Sequence, residues 1–265
     1  MFSLIDSIVK AKIEVSPFIH IVVPHALEEA AYARLSDAFP PAADFTAGKN
    51  RYENFRYNRF ASEVLAGGYA PAAKEFARIH ASQAFYMAVL DKFRDYYINT
   101  LGEAVFESLR DPRNVGLRKV DSFASHDVLL DATFVINSGN RQGNSTVRGP
   151  HIDKLFKLYA GLYYMRRPDD ASRGGDLVLY RYKRQRYLIG MNDESSTSAG
   201  LRYDIDPEHV EPVKVVPYRP NTLVLYPNSV DAIHGVSIRS ETDIERRLIT
   251  LVADYKEDIL DVATA

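Results

Sequence analysis

The chain has 265 residues, which suffices for one large domain or for a core with a helical extension. Its 46% hydrophobic and 26% charged content is that of a globular protein, which excludes a disordered or fibrous chain, and a net charge of −2 gives no global attraction to nucleic acid or anionic membranes. It has no cysteine, so disulfides, thiolate zinc sites, iron–sulfur clusters and cysteine nucleophiles are excluded together.

In chain order, the first residues are broken by Asp6, Lys10 and Lys12 and show neither a signal peptide nor a membrane span, so the default expectation is a soluble cytoplasmic protein. Residues 18–23 are a short β-rich run closed by Pro24. From 26 to 109 the pattern is mainly helical. Residues 26–39 place Leu27, Ala30, Ala31, Leu35 and Ala38 at helical spacing, and Pro40-Pro41 ends the run. Residues 71–101 carry Phe76, Ile79, Met87, Leu90, Tyr97 and Leu101 on one helical face, a stripe that Gln83 interrupts.

From Val115 onward the texture is that of strands. Runs at 132–136, 158–165, 177–182, 187–189, 213–216, 222–226 and 248–253 are β-branched or aromatic. Gly-, Pro-, Asn- and Asp-rich turns separate them at 137–144, 167–175, 192–200 and 227–229, and the serine-rich 193–200 reads as a mobile loop. Short strands punctuated in this way predict a sandwich or jelly-roll barrel. The expected organisation is one domain over 1–265, with a mainly helical region at 1–114 and a β core at 115–265. The helical region would either buttress the barrel or form a homodimer contact.

His151-Ile152-Asp153 sets an imidazole and a carboxylate two residues apart. In extended backbone both point to one face, roughly 6–7 Å apart at the backbone, so both can reach one ion. The third ligand has to come from elsewhere, and His234, just after the strand at 222–226, is the strongest candidate. Two histidines and a carboxylate form the facial triad of non-haem Fe(II) oxygenases, which leaves coordination positions for a bidentate 2-oxo acid and for dioxygen. An H-x-D tripeptide is common in loops and gains weight only from its surroundings. His20, His25, His80, His126 and His209 have no comparable arrangement and read as surface, capping or core residues.

Those surroundings are specific. Gly149-Pro150-His151-Ile152-Asp153, Gly161-Leu162-Tyr163-Tyr164-Met165, Gly174-Gly175-Asp176-Leu177, residues 221–227, His234-Gly235-Val236 and Arg246-Arg247-Leu248-Ile249-Thr250 together resemble the 2-oxoglutarate and Fe(II)-dependent oxygenase superfamily, nearest its prolyl-hydroxylase-like branch. The resemblance covers about 100 residues. It implies a double-stranded β-helix, a cupin-like jelly roll, buttressed by the helices. It also implies His151 and Asp153 as proximal ligands, His234 as the distal one, and Fe(II), O2 and 2-oxoglutarate as cofactor and cosubstrates. Arg246 and Tyr164 would hold the distal carboxylate of 2-oxoglutarate, with Leu177 and Thr250 lining its pocket. The activity implied is oxidation with release of succinate and CO2, with hydroxylation favoured over halogenation, since related halogenases replace the ligand carboxylate that Asp153 supplies here, and with desaturation and ring formation as the open alternatives.

Strand geometry bears on two of these choices. Arg246, Leu248, Thr250 and Val252 share one face, while Arg247, Ile249 and Leu251 share the other, so only one of the two arginines can join Thr250. A planar guanidinium that never titrates away suits a buried carboxylate, and the family pattern selects Arg246. Alternation likewise sends Tyr163 and Tyr164 to opposite faces, and Tyr164 is favoured for the pocket. Gly174-Gly175 lacks Walker or dinucleotide spacing and reads as a turn before a strand. No Gly-x-Ser-x-Gly is present.

The substrate is expected to be a small molecule, anionic or saccharide-like if the basic, aromatic segment 180–187 forms a wall of the site, although that segment reads first as an exposed hairpin whose charges face water. Arg148 and Arg181 are the candidate substrate contacts. Two other readings use the same residues: a cupin-like metalloenzyme without 2-oxoglutarate, and a non-catalytic jelly-roll binding module. An anchor for a second carboxylate argues against the first, and an intact triad against the second.

Overall fold

The strand-rich half of the sequence forms most of two mainly antiparallel sheets, and a computed structural model describes residues 2–46, 53–111, 115–184 and 203–260. The helices come first: α1 (Ile5–Lys10), α2 (Glu29–Asp37), α3 (Ala42–Thr46), α4 (Ala61–Ala66), α5 (Pro71–His80), α6 (Gln83–Lys92), α7 (Arg94–Leu101) and α8 (Glu103–Leu109). Two strands lie among them, β1 (Ile21–Pro24) and β2 (Arg56–Arg59). Then come β3 (Val115–Leu117), β4 (Val128–Asn137), β5 (His151–Ile152), β6 (Lys157–Tyr164), β7 (Leu177–Tyr182), β8 (Tyr203–Asp204), β9 (Val210–Val216), β10 (Thr222–Pro227), β11 (His234–Val236) and β12 (Arg246–Tyr255).

The large sheet runs β1-β10-β6-β12-β4-β2, with β3 parallel to β4, and the small sheet runs β8-β5-β11-β7-β9. Along the chain β4, β5, β6 and β7 alternate between the sheets, and β9, β10, β11 and β12 alternate again. The molecule is thus mixed α/β with two sheets, an arrangement consistent with the expected jelly roll.

One apolar layer lies between the sheets. Val135, Ala160, Tyr164, Val224, Tyr226 and Leu248 from the large sheet pack with Leu177, Leu179 and Val216 from the small one. The opposite face of the large sheet, including Phe134, Tyr159, Tyr163, Leu223, Ile249 and Leu251, packs under the helices. Strands β4, β6 and β12 are therefore covered on both faces, which is why their sequences read as nearly continuous apolar runs. Of the two roles open to the N-terminal helices, buttressing is the one observed: Phe76 of α5 stacks on Tyr163 at 5.6 Å, and Tyr97 of α7 donates to the Leu158 carbonyl at 3.0 Å.

The structure corrects the sequence reading in three places. The stretch 71–101 is three helices, because Ser82 leaves helical geometry to cap α6, accepting from Phe85 N at 3.3 Å, and Phe93 (φ −110°, ψ 25°) breaks the chain again before α7. The region 26–109, read as helical, also supplies β2, a polar strand of alternating burial at one edge of the large sheet, while the β-rich run expected at 18–23 is found as β1 at the other edge. The second helix is shorter than 26–39, because the Glu28 side chain caps it by accepting from Ala30 N and Ala31 N. The strand expected at 187–189, the loop at 193–200 and the end of the segment 180–187 lie outside the described residues. No helix among the described residues is long and apolar enough to cross a membrane.

Candidate metal and carboxylate site

His151 and His234 meet because β5 and β11 are neighbours in the small sheet and these two residues are paired in register, with Leu179 of β7 on the other side of His234. Gly235 permits the approach: a Cβ there would lie 2.9 Å from the Gly149 carbonyl. The imidazole centroids are 4.1 Å apart, and one ligand atom from each of His151, Asp153 and His234 lies within 4.8 Å of the others. Both histidines are buried, at 5% and 6% exposure.

The protonation pattern suits a cation. His151 Nδ1 is 2.8 Å from the Gly149 carbonyl and His234 Nδ1 is 2.9 Å from the Ala232 carbonyl. A carbonyl only accepts, so each Nδ1 carries the hydrogen and each Nε2 of the neutral ring keeps its lone pair. Burial first, then the neighbouring His234 and Arg148, push His151 well below the usual histidine range, and burial lowers His234 against the pull of Asp153. Burial by itself would raise the Asp153 carboxyl, but Lys157, His234, His151 and Arg148 outweigh it and hold the group below the usual carboxylate range. Two neutral imidazoles and one carboxylate are the donor set for a divalent first-row metal such as Fe(II).

Arg246 lies on the sheet face that turns toward the small sheet, as alternation requires, and is 4% exposed. Its Nε donates to the Gly175 carbonyl at 2.9 Å and one terminal nitrogen lies 3.4 Å from Asn137 Oδ1, while its guanidinium sits 4.7 Å from the Tyr218 ring centroid and 5.1 Å from that of Tyr164. None of the ion pairs among the described residues includes it. Tyr164 Oη is buried beside it without a hydrogen-bond partner, and burial, opposed by Arg246, raises its pKa. A buried guanidinium outside the ion pairs of the described residues, beside an unpartnered hydroxyl, offers the donors that a carboxylate ligand would need.

Arg247 points the other way, over the Phe39 ring at 5.1 Å, and pairs with Glu245 at 2.7 Å. Tyr163 also faces the helices, donating to Asn221 Oδ1 at 2.7 Å. Leu177 is buried in the inter-sheet layer with Tyr164. Thr250 is 7% exposed and pairs with Leu162 and Thr133 across the large sheet, on the Arg246 face.

The two candidate substrate arginines are not brought together. Arg148 acts electrostatically on all three triad residues, yet its guanidinium is held by Asp204 of β8 at 3.2 Å. Arg181 is exposed and paired with Glu211 of β9 at 2.5 Å.

Several contributors escape a sequence reading. Tyr226 Oη is 3.0 Å from His234 Nε2, Lys157 Nζ is 3.2 Å from Asp153 Oδ1, and Tyr218 carries the Arg246 guanidinium. For Tyr226 a signal existed, because it has the same strand parity as Val224 at the end of an apolar run. Tyr218 lies outside any predicted strand and gave none.

Fold and site together define a two-sheet protein with a His-Asp-His cluster whose histidines are buried, and a buried arginine, Arg246, on the inner face of the large sheet. No family model matches the sequence, and no curated protein matches it. Among solved structures the chain is similar to IDO from Bacillus thuringiensis, with 12% identity, 90% of this chain and 93% of that one covered, and a TM-score of 0.41. It is also similar to a prolyl-4-hydroxylase from Pseudomonas putida (12% identity, 97% and 99% covered, TM-score 0.41). A third is dioxygenase for auxin oxidation 1 from Arabidopsis thaliana in a 2-oxoglutarate complex (12%, 90% and 84%, TM-score 0.46). These likenesses are remote, and the chemistry has to be read from the site's own residues.

Proposed function

We propose that the chain is an Fe(II)- and 2-oxoglutarate-dependent dioxygenase that hydroxylates a small-molecule substrate, built as a single domain on a double-stranded β-helix. The observation that carries this reading is the pairing of a His151–Asp153–His234 cluster, its ligand atoms within 4.8 Å, with a buried Arg246 that has no carboxylate partner among the described residues. The triad accounts for the metal, and Arg246 with the Tyr164 hydroxyl for the distal carboxylate of the cosubstrate.

Iron held there would supply dioxygen activation coupled to oxidative decarboxylation of 2-oxoglutarate to succinate and CO2. The chain's own residues do the rest. The Gly149 and Ala232 carbonyls fix both imidazoles with Nε2 available. Gly175 and Asn137 orient the Arg246 fork, and Tyr218 and Leu177 keep water from it. A saccharide-like substrate is the finer reading, and it rests on the basic, aromatic composition of the segment 180–187.

Anaerobic addition of Fe(II) and then 2-oxoglutarate tests the reading. A weak visible metal-to-ligand absorption band is expected, and it should vanish in His234→Ala together with metal binding. Bound metal without the band would point instead to a cupin-like enzyme that does not use 2-oxoglutarate; no metal binding would leave a jelly-roll binding module.

A further inference from the structure

Tyr226 closes the inter-sheet layer beside the triad. Its ring is fully packed, edge-on to Phe18 at 5.5 Å, and its hydroxyl lies 3.0 Å from His234 Nε2. Because His234 Nδ1 carries the ring hydrogen, the phenol is the donor and the Nε2 lone pair the acceptor. That lone pair is the one a cation would take, at about 2.1 Å. Hydroxyl and cation therefore compete for the same electrons, and the hydroxyl must yield when the cation binds.

A displaced phenol O–H in a dry, packed layer needs a new acceptor, since leaving it unpaired costs free energy. The packed ring keeps the oxygen close to where it started. Asp153, the nearest carboxylate acting on this hydroxyl, would itself be engaged by the cation, which leaves the anionic oxygen of a ligand that shares the cation with the triad as the other acceptor. Resting on the metal-site reading above, we propose that Tyr226 is a ligand-binding residue of this site: it passes its hydrogen bond from His234 to an anion on the metal, so that it opposes binding of the bare cation and favours binding of the anion.

The test uses the full chain and its Tyr226→Phe variant, which keeps the ring and removes only the hydroxyl. Co(II), which is inert to dioxygen turnover, is titrated into each by calorimetry, and the Co(II)-loaded proteins are then titrated with 2-oxoglutarate and separately with azide. The variant is expected to bind Co(II) about two- to tenfold more tightly, the range set by one hydrogen bond, and to bind azide and 2-oxoglutarate weaker by a similar factor. Equal affinities in the two proteins overturn the proposal while leaving the metal site intact. Weaker Co(II) binding in the variant also overturns it, because Tyr226 would then be supporting Asp153. A wild-type chain that takes up no Co(II) overturns the metal-site reading itself. Matching circular dichroism and melting curves confirm that the variant is folded.

Discussion

Lys157 Nζ stands 3.2 Å from Asp153 Oδ1, so the carboxylate of the cluster already has a protein cation for company. The two side chains are only 15% and 13% exposed, so the pair is half-buried and largely shielded from water. Breaking such a pair by removing one partner costs about 3–5 kcal/mol, because a charge is left alone in a low dielectric. Lys157→Met should therefore lower the melting temperature of the metal-free protein. A saturating divalent metal replaces the lost counter-charge, so Mn(II) should recover most of the loss in a thermal-shift assay. A melting temperature unmoved by the substitution, or a loss that Mn(II) leaves untouched, would show that the lysine does not balance Asp153.

The two adjacent arginines give a paired test of the carboxylate pocket. Arg246→Ala should weaken 2-oxoglutarate by at least tenfold, the scale of a charge-assisted hydrogen-bonded contact of about 1.5–3 kcal/mol, while leaving Co(II) affinity within about twofold. Arg247→Ala, whose side chain lies over Phe39 and against Glu245, should spare 2-oxoglutarate and cost some stability. The reverse pattern, read by calorimetry, would show the roles to be exchanged.

His80 makes stability depend on pH in a direction that can be worked out. Its ring bridges Leu4 N, accepted at Nε2 (3.1 Å), and the Phe76 carbonyl at Nδ1 (2.8 Å), and burial lowers its pKa to about 3. The unfolded chain protonates near 6.5. The contribution of the neutral ring is thus complete above about pH 6.5 and is lost as pH falls from there toward 3. At pH 5, about 1.5 units below the unfolded value, the loss is about 2 kcal/mol at about 1.36 kcal/mol per unit. In urea unfolding the wild type should lose that much more than His80→Gln between pH 7 and pH 5; parallel losses would rule His80 out as the source.

Gly174 sits at φ +75°, where an added Cβ would collide with the Ile238 carbonyl. Ala there must pay for both the left-handed backbone and the clash, so Gly174→Ala should destabilise by more than about 2 kcal/mol. Through Gly175, whose carbonyl accepts from Arg246, it should also weaken 2-oxoglutarate. Gly68→Ala, with nothing within 4 Å, serves as the control and should stay within about 0.5 kcal/mol.

Much of the site was legible because strands have a period of two. That period set His151 and Asp153 on one side, and it separated Arg246 from Arg247 and Tyr164 from Tyr163, as the packing of each against one layer or the other bears out. The short strands β5, β8 and β11 were not legible as strands. Two or three residues carry no periodicity, and their backbone is held extended by neighbours rather than by propensity. The breaks within 71–101 were visible only as an interrupted stripe, since a serine cap and a local turn cost a helix little that hydrophobic spacing records.

By itself, then, the sequence determined that His151 and Asp153 share one side of an extended segment and which face each strand residue takes, because both follow from local covalent geometry; that His234 joins them depends on the pairing of β5 with β11. Only the tertiary structure decided what those residues meet. It put Lys157 on Asp153, Tyr226 on His234 and Tyr218 under Arg246, and it tied Arg148 to Asp204 and Arg181 to Glu211. Except for the Lys157 pair, each of these contacts joins different strands or loops. Their distances are set by strand pairing within the small sheet, as for Arg181 and Glu211, or by how the two sheets pack, and the order of residues along one chain does not encode either in any short window.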